Sequence, residues 1–239
     1  MTMIADMPMA AFDIESTGVN AYADRIVTAS VVHIDGAKVT DHEWLLSPGI
    51  EIPQGAIDVH GISNERAQSE GQDYATGYAE IRDALDHVWK SGRIVAGMNL
   101  AYDYSMMHYE GLRLGYPEFV PGPTIDVLVI DKHLDRYRRG GRTLTDLAAA
   151  YRVPQDDAHQ STGDCLTAAR IAYKQLRRAE LQAVDDPGTL MRLQAGWRAQ
   201  QQDSLRAFWQ GRGDERWKTV SSDWPVQFQS THAPREATS

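Results

Sequence analysis

Cysteine is nearly missing from this chain. Cys165 stands alone among 239 residues, which excludes an intramolecular disulfide and any multi-cysteine zinc site and suits a reducing compartment. Long apolar runs are missing too: none approaches the roughly 20 residues that cross a bilayer. The opening segment MTMIADMPMA has no basic stretch and carries Asp6, so neither a membrane anchor nor a secretory leader is expected and the expected location is the cytoplasm. A basic excess is also lacking. The formal net charge is −9, and residues 181–239 hold seven Lys/Arg and seven Asp/Glu, so the acidic excess lies wholly in 1–180, with 17 basic residues against 26 acidic. A protein that tracks a long duplex carries a basic stripe, which this chain does not. Acidic proteins can still meet phosphate where divalent cations bridge it to carboxylates.

The hydrophobic pattern changes period along the chain. Residues 9–14 (MAAFDI) form a short, largely apolar run that leaves toward Glu15 and the breaker Gly18, as a central strand does. Arg25–Ile34 is β-branched and apolar, Asp35-Gly36 is a two-residue hairpin signal, and Lys38–Leu46 is a second strand-like run. After Ser47-Pro48-Gly49 the spacing turns helical, with a short helix at 64–68 and Tyr74, Tyr78, Ile81, Leu85 and Val88 three or four apart. Arg93–Met98 predicts a buried strand, Asp103–Leu114 a helix and Thr124–Asp126 another strand or helix entry. Further helices are predicted over 127–137, 144–151 and 164–178. Three strands followed by alternating helix and strand make an α/β layered domain with a mixed sheet.

Composition shifts at Asp185-Asp186-Pro187-Gly188, and four of the six tryptophans lie beyond it. The expected organisation is a domain over 1–180 and a Trp-rich helical extension over 181–239. Leu190, Leu193, Trp197, Leu205, Phe208 and Trp209 fit one amphipathic helix, and Gln227–Ser239 reads as a frayed polar end. Gln202, Leu205, Phe208 and Trp209 also mimic a sliding-clamp peptide, but the last three fall on the apolar stripe, so packing is the preferred reading.

The acids carry the chemistry. Asp13 and Glu15 are two apart on a predicted strand, so both side chains leave one face. Like charges this close at a buried strand end repel unless one takes a proton or a cation sits between them, and a metal is the simpler answer. Asp103 follows a predicted strand near a helix start. Asp164 ends Ser161-Thr162-Gly163-Asp164, a helix-capping pattern, and His159 lies five residues before it. Acids at a strand end, after another strand and at a helix start occupy the places where an open α/β sheet gathers its ligand site. Hard carboxylates without cysteines or paired histidines select Mg²⁺ or Mn²⁺ over zinc.

FDIEST at 12–17, NLAYD at 99–103 and HQSTGD at 159–164 resemble, in order and spacing, the three motifs of DEDDh-type 3′→5′ exonucleases of the DnaQ-like superfamily. VHGIS at 59–63 and TLTDLAAAYRV at 143–153 are similar as well, and the likeness runs from about residue 9 to 178. Each short motif matches often by accident; their joint occurrence is specific. The resemblance implies an RNase H-like mixed five-stranded sheet with helices on both sides, followed here by the C-terminal helical extension.

It also implies roles. Asp13 would bridge two Mg²⁺ or Mn²⁺ ions, Glu15 and Asp164 would complete the first and Asp103 would hold the second. His159 would be the general base. Thr17, Gly18, His60, Asn99 and Tyr102 match positions around the terminal nucleotide, where an aromatic such as Tyr102 can stack or wedge beside a base or simply pack as a core aromatic. The five basic residues of Lys132–Arg142 could touch upstream phosphates or form a solvated helix end. The expected activity is a metal-dependent 3′→5′ exonuclease on single-stranded or frayed DNA ends, releasing nucleoside 5′-monophosphates. It would act as a proofreader with a polymerase or sliding clamp as partner, or as a stand-alone trimming enzyme. The alternatives are an RNA exonuclease of the oligoribonuclease or RNase T kind and a noncatalytic polymerase-associated nucleic-acid-binding subunit.

Overall fold

A computed structural model describes residues 4–155 and 161–229. Its strands and helices run β1 (Met9–Ser16), β2 (Ile26–Asp35), β3 (Lys38–Leu45), α1 (Gln54–His60), α2 (Asn64–Glu70), α3 (Tyr74–Lys90), β4 (Ile94–Gly97) and α4 (Leu100–Arg113). They continue through β5 (Thr124–Asp126), α5 (Val127–Leu134), α6 (Leu144–Tyr151), α7 (Ser161–Leu176), α8 (Ala179–Gln182) and α9 (Pro187–Gly211). The sheet order is β3-β2-β1-β4-β5. β2 and β3 pair antiparallel with their neighbours, whereas β4 and β5 run parallel to β1 and to each other. This is the expected mixed five-stranded, RNase H-like sheet.

Alternation along β1 sorts the core into two layers. Ala10, Phe12 and Ile14 meet α3 and α4 through Tyr78, Leu85, Leu100 and Tyr104. Met9 and Ala11 face the opposite side with Val32 and Ala96, under Ile130 of α5 and Ala168, Ile171 and Ala172 of α7. Asp13 and Glu15 continue the second row toward the strand's C-terminal end. There β1 and β4 part: their pairing covers only Met9–Ala11 against Ile94–Ala96, and β4 ends at Gly97. The central strand therefore projects beyond its parallel neighbour at the point where the sheet changes direction, the position in α/β sheets where a crevice opens.

Several boundaries differ from the sequence expectation. α4 begins at Leu100, not Asp103, because Asn99 turns the chain with φ 60° and its N–H donates to Asp126 Oδ1 at 3.1 Å. α7 begins at Ser161, so Ser161 lies inside the helix, and its hydroxyl pairs with Ser30 Oγ at 2.8 Å. α1 carries too few apolar residues to be read from periodicity. Gln227–Gln229 are not frayed: their N–H groups donate to Ser105 Oγ, Asp223 Oδ2 and Tyr109 OH at 2.7–3.1 Å.

The largest departure is in α9. Its most buried positions are Leu190, Gln194, Arg198 and Gln202, four apart, whereas Leu205 and Phe208 remain 39% and 48% exposed. The packing expected of those two apolar residues is therefore not what the helix does. Its inner stripe is polar because it faces an open strand edge and a carboxylate rather than a hydrocarbon surface. The side-chain amide of Gln194 acts as a missing strand: its Oε1 accepts from Asp126 N at 2.8 Å and its Nε2 donates to Thr124 O at 2.8 Å. An exposed edge invites pairing with another chain, and a single buried glutamine closes this one. Gln194→Leu would leave the Asp126 N–H and the Thr124 carbonyl unpaired, at a cost of about 2 kcal/mol. The expected fall in melting temperature is about 4–8 °C for a chain of this size; an unchanged thermal unfolding midpoint would show that the amide bonds contribute nothing.

Candidate active site

The projecting end of β1 presents Asp13 and Glu15 side by side, both half-buried. Asp164, in the first turn of α7, completes a triplet: one carboxylate oxygen from each of Asp13, Glu15 and Asp164 lies within 4.8 Å of the others. Asp103 is nearly buried and stands outside that triplet, tied to β1. Beyond Ala11, β1 has no β4 partner, and the N–H of Ile14 donates to Asp103 Oδ1 at 3.0 Å instead. The carboxylate thus fills a gap in the ladder while staying close enough to Asp13 to act on it electrostatically.

Burial pushes the Asp13 carboxyl well above its ordinary value, with Asp103, Glu15 and Asp164 adding like-charge repulsion. Glu15 is raised from 4.5 to about 7 by burial and then by Asp164. Burial likewise raises Asp103, which Asp126 and Glu15 reinforce against the opposing hydrogen bond from Ile14. Neither Asp13 nor Glu15 has a hydrogen bond or ion pair among the described residues. Three carboxylate oxygens gathered this closely fit a hard divalent cation, which neutralises their charge and takes oxygen ligands.

A polar row that sequence reasoning missed holds α7 in place. Across the sheet Asp13 pairs in register with Ser30, and Ser30 with Glu43. Ser30 Oγ meets Ser161 Oγ at 2.8 Å and Thr162 Oγ1 at 3.2 Å, and Thr162 donates a short hydrogen bond to Glu43. These contacts pin the start of α7 to β2 and β3, and so bring Asp164 to β1. The signal was Ser30 itself, a polar residue in an otherwise apolar stretch of β2 that is fully buried.

The expected nucleotide-pocket residues gather around the loop after β1. Tyr102 donates to Gly18 O at 2.5 Å and meets Ser16 Oγ at 2.6 Å. Thr17 is buried, its N–H and hydroxyl engaged by Arg25 O and Asp24 Oδ1 at 2.9 and 3.2 Å. A side chain at position 18 would put its Cβ 2.5 Å from Asp24 Oδ2, so glycine lets the loop close on that carboxylate. His60 ends α1; its Nδ1 accepts from Ile62 N at 3.1 Å and its buried Nε2 lacks a hydrogen-bond partner. Burial lowers its pKa, with the Ser16 backbone acting the other way. A neutral imidazole with an orphaned nitrogen suits contact with a polar ligand. His159, the expected general base, lies outside the described residues.

A family comparison resolves what kind of pocket this is: the RNase_T exonuclease model matches residues 10–172. The chain belongs to that exonuclease family. It is a DEDD-type member of the DnaQ-like superfamily, as its motifs indicate. Among similar curated proteins, the PolC-type DNA polymerase III of Pediococcus pentosaceus is 27% identical over 170 residues, covering 71% of this chain and 11% of that protein. The Bacillus subtilis PolC-type enzyme is 23% identical over 169 residues, 70% of this chain and 11% of its own length. The chain therefore spans about a tenth of those relatives. Among solved structures, E. coli exonuclease I in complex with a dT13 oligonucleotide gives a TM-score of 0.59 at 16% identity, covering 73% of this chain and 42% of that one. Exonuclease I of Methylocaldum szegediense gives 0.59 at 18% identity, with 73% and 41% covered. These likenesses carry the fold.

Raised carboxyl pKa values make the metal-free fold weaker at higher pH. The Glu15 contribution is fully present below about 4.5 and is lost as pH rises through about 7. Without metal, the melting temperature should fall between about pH 5 and pH 8, and Asp13→Asn should recover on the order of 1–3 kcal/mol at the upper end by removing one repelling charge. A variant whose melting temperature falls with pH as steeply as that of the unsubstituted protein would contradict this electrostatic account.

Proposed function

We propose that the chain is a metal-dependent 3′→5′ exonuclease acting on single-stranded or frayed DNA ends and releasing nucleoside 5′-monophosphates. The observation that carries the reading is the triplet of Asp13, Glu15 and Asp164 oxygens, with Asp103 beside it, in a chain of the exonuclease family. The DNA preference draws support from the polymerase relatives and from the oligonucleotide-bound exonuclease I neighbour.

Asp13, Glu15 and Asp164 would hold one Mg²⁺ or Mn²⁺, and Asp13 with Asp103 a second. Paired divalent ions supply Lewis-acid stabilisation of the attacking and leaving oxygens of an in-line displacement at phosphorus. The protein's own contribution is positional. The acids would seat the ions that draw the scissile phosphate to the end of β1, while Thr17, Gly18, His60, Asn99 and Tyr102 would border the terminal nucleotide. His159 would accept a proton from the attacking water, work suited to an imidazole that titrates near neutrality. The nucleolytic domain would occupy 1–180, with 181–239 as an extension against its β5 side.

The test is stepwise shortening of 5′-labelled single strands together with release of labelled mononucleotide from 3′-labelled ones. Turnover should require Mg²⁺ or Mn²⁺ and stop with EDTA, and matched DNA and RNA strands should show the DNA preference. Asp13→Ala and Asp164→Ala should abolish activity, and His159→Ala should lower it about 10²–10⁴-fold. Near-normal activity in any of the three purified variants would overturn that residue's role, and metal-independent turnover would overturn the mechanism.

A further inference from the structure

The extension builds a second feature against α5. Between α5 and α9 runs a groove of about 610 Å³, within the range of sites that take ordered ligands. Lys132, Arg136 and Arg142 line it on one side, Gln200 and Gln201 on the other, and no carboxylate lines it. Arg142 already shares Asp131 with Arg138, whereas Lys132 and Arg136 have no ion pair among the described residues.

Beneath the lining lies a buried cation. Arg198 is only 7% exposed, and its guanidinium is held by the Gln202 amide oxygen, 2.7 Å from Nη1 once that amide is oriented to satisfy both ends. Among the described residues Arg198 makes no ion pair within 4 Å; Asp126 acts on it from farther away, and the charges of Lys132 and Arg198 repel one another. The Gln201 amide donates to Val129 O at 2.9 Å, and its Oε1 is buried without a partner. Lys132, Arg136 and Arg198, none in an ion pair within 4 Å among the described residues, together with an idle amide oxygen, suit an anionic ligand that also carries donors. A nucleic-acid strand has both, in its phosphates and its base edges.

The groove is connected to the acids through Asp126. That carboxylate receives the Asn99 N–H where α4 begins, acts electrostatically on Asp103, and is the counter-charge felt by Lys132 and Arg198. The acidic excess of residues 1–180 makes this cationic groove the favourable route for phosphates behind the scissile end. One wall is α9, beyond the matched exonuclease region that ends at residue 172. We propose that the α5–α9 groove binds the sugar-phosphate backbone of the single strand upstream of its 3′ end. The direction of the strand rests on the exonuclease reading; the binding site does not.

The test measures binding of a fluorescent fifteen-nucleotide DNA single strand with a phosphorothioate 3′ linkage to the full chain in Mg²⁺ across a salt series. Lys132→Gln/Arg136→Gln should weaken binding on the order of tenfold and flatten the slope of log affinity against log salt by about 1.4, at about 0.7 per lost phosphate contact. Hydrolysis of a dinucleotide should be unchanged, which also reports an intact fold. Arg177→Gln/Arg192→Gln, the same charge change elsewhere, should leave the slope alone. The proposal is overturned if the groove variant keeps the parent slope and affinity, if the control pair flattens it equally, or if the dinucleotide suffers the same loss. It is also overturned if the variant loses only affinity for a poly-glutamate peptide, which would assign the groove to a protein. Salt-dependent, variant-sensitive binding without nuclease activity on any substrate would sustain the groove and overturn the exonuclease reading alone.

Discussion

Carboxylates repel one another more strongly as water is removed, and this fold brings Asp13, Glu15, Asp103 and Asp164 together at the end of its central strand. Something other than attraction among the acids must hold them there. Strand geometry fixes Asp13 and Glu15 on one face. The unpaired Ile14 amide, left over where β1 outruns β4, anchors Asp103. Hydroxyl contacts among Ser30, Ser161 and Thr162, together with the Glu43 carboxylate, hold the helix that carries Asp164. Strand geometry, a backbone amide and the hydroxyl row thus set the positions of the acids against their mutual repulsion. The stability sacrificed in the metal-free state is the counterpart of affinity in the loaded one.

The extension is coupled to the same corner of the molecule. Gln194 closes the β5 edge, Trp224 Nε1 reaches Asp126 Oδ2 at 3.4 Å, and the segment through Gln229 runs along α4. Asp126 is therefore shared between two jobs. Its Oδ1 caps α5 through Leu128 N and Val129 N and holds the turn at Asn99, while its other oxygen meets the extension. A change in how α9 seats would reach Asn99, and through α4 Asp103, by a short path of hydrogen bonds.

Much of this was legible in the sequence because the strongest signals were periodic or chemical. The apolar run ending in Asp13 and Glu15 specified a strand that opens into a site, and the hairpin at Asp35-Gly36 specified antiparallel order. What escaped were features whose meaning depends on a distant partner. Asp126 looked like a strand end; only the fold brings it to Asn99, Gln194 and Trp224. Ser30 and Glu43 are ordinary strand residues until α7 lands on them. The apolar pattern of α9 held for Leu190 and Trp197, which pack on the core, but failed for Leu205 and Phe208 because the buried stripe of Gln194, Arg198 and Gln202 answers a backbone edge and a carboxylate.

Calorimetric titration of Mn²⁺ into the metal-free protein, repeated in buffers of different ionisation enthalpy, tests the central claim most directly because ligands that bind a metal must first give up their protons. If the acids form one cation site with raised carboxyl pKa values, binding near pH 6.5 should release protons, the number released should fall as pH rises past about 8, and Asp13→Asn should abolish the high-affinity phase. Mn²⁺ binding with no proton release, or undiminished binding in the Asp13 variant, would contradict it.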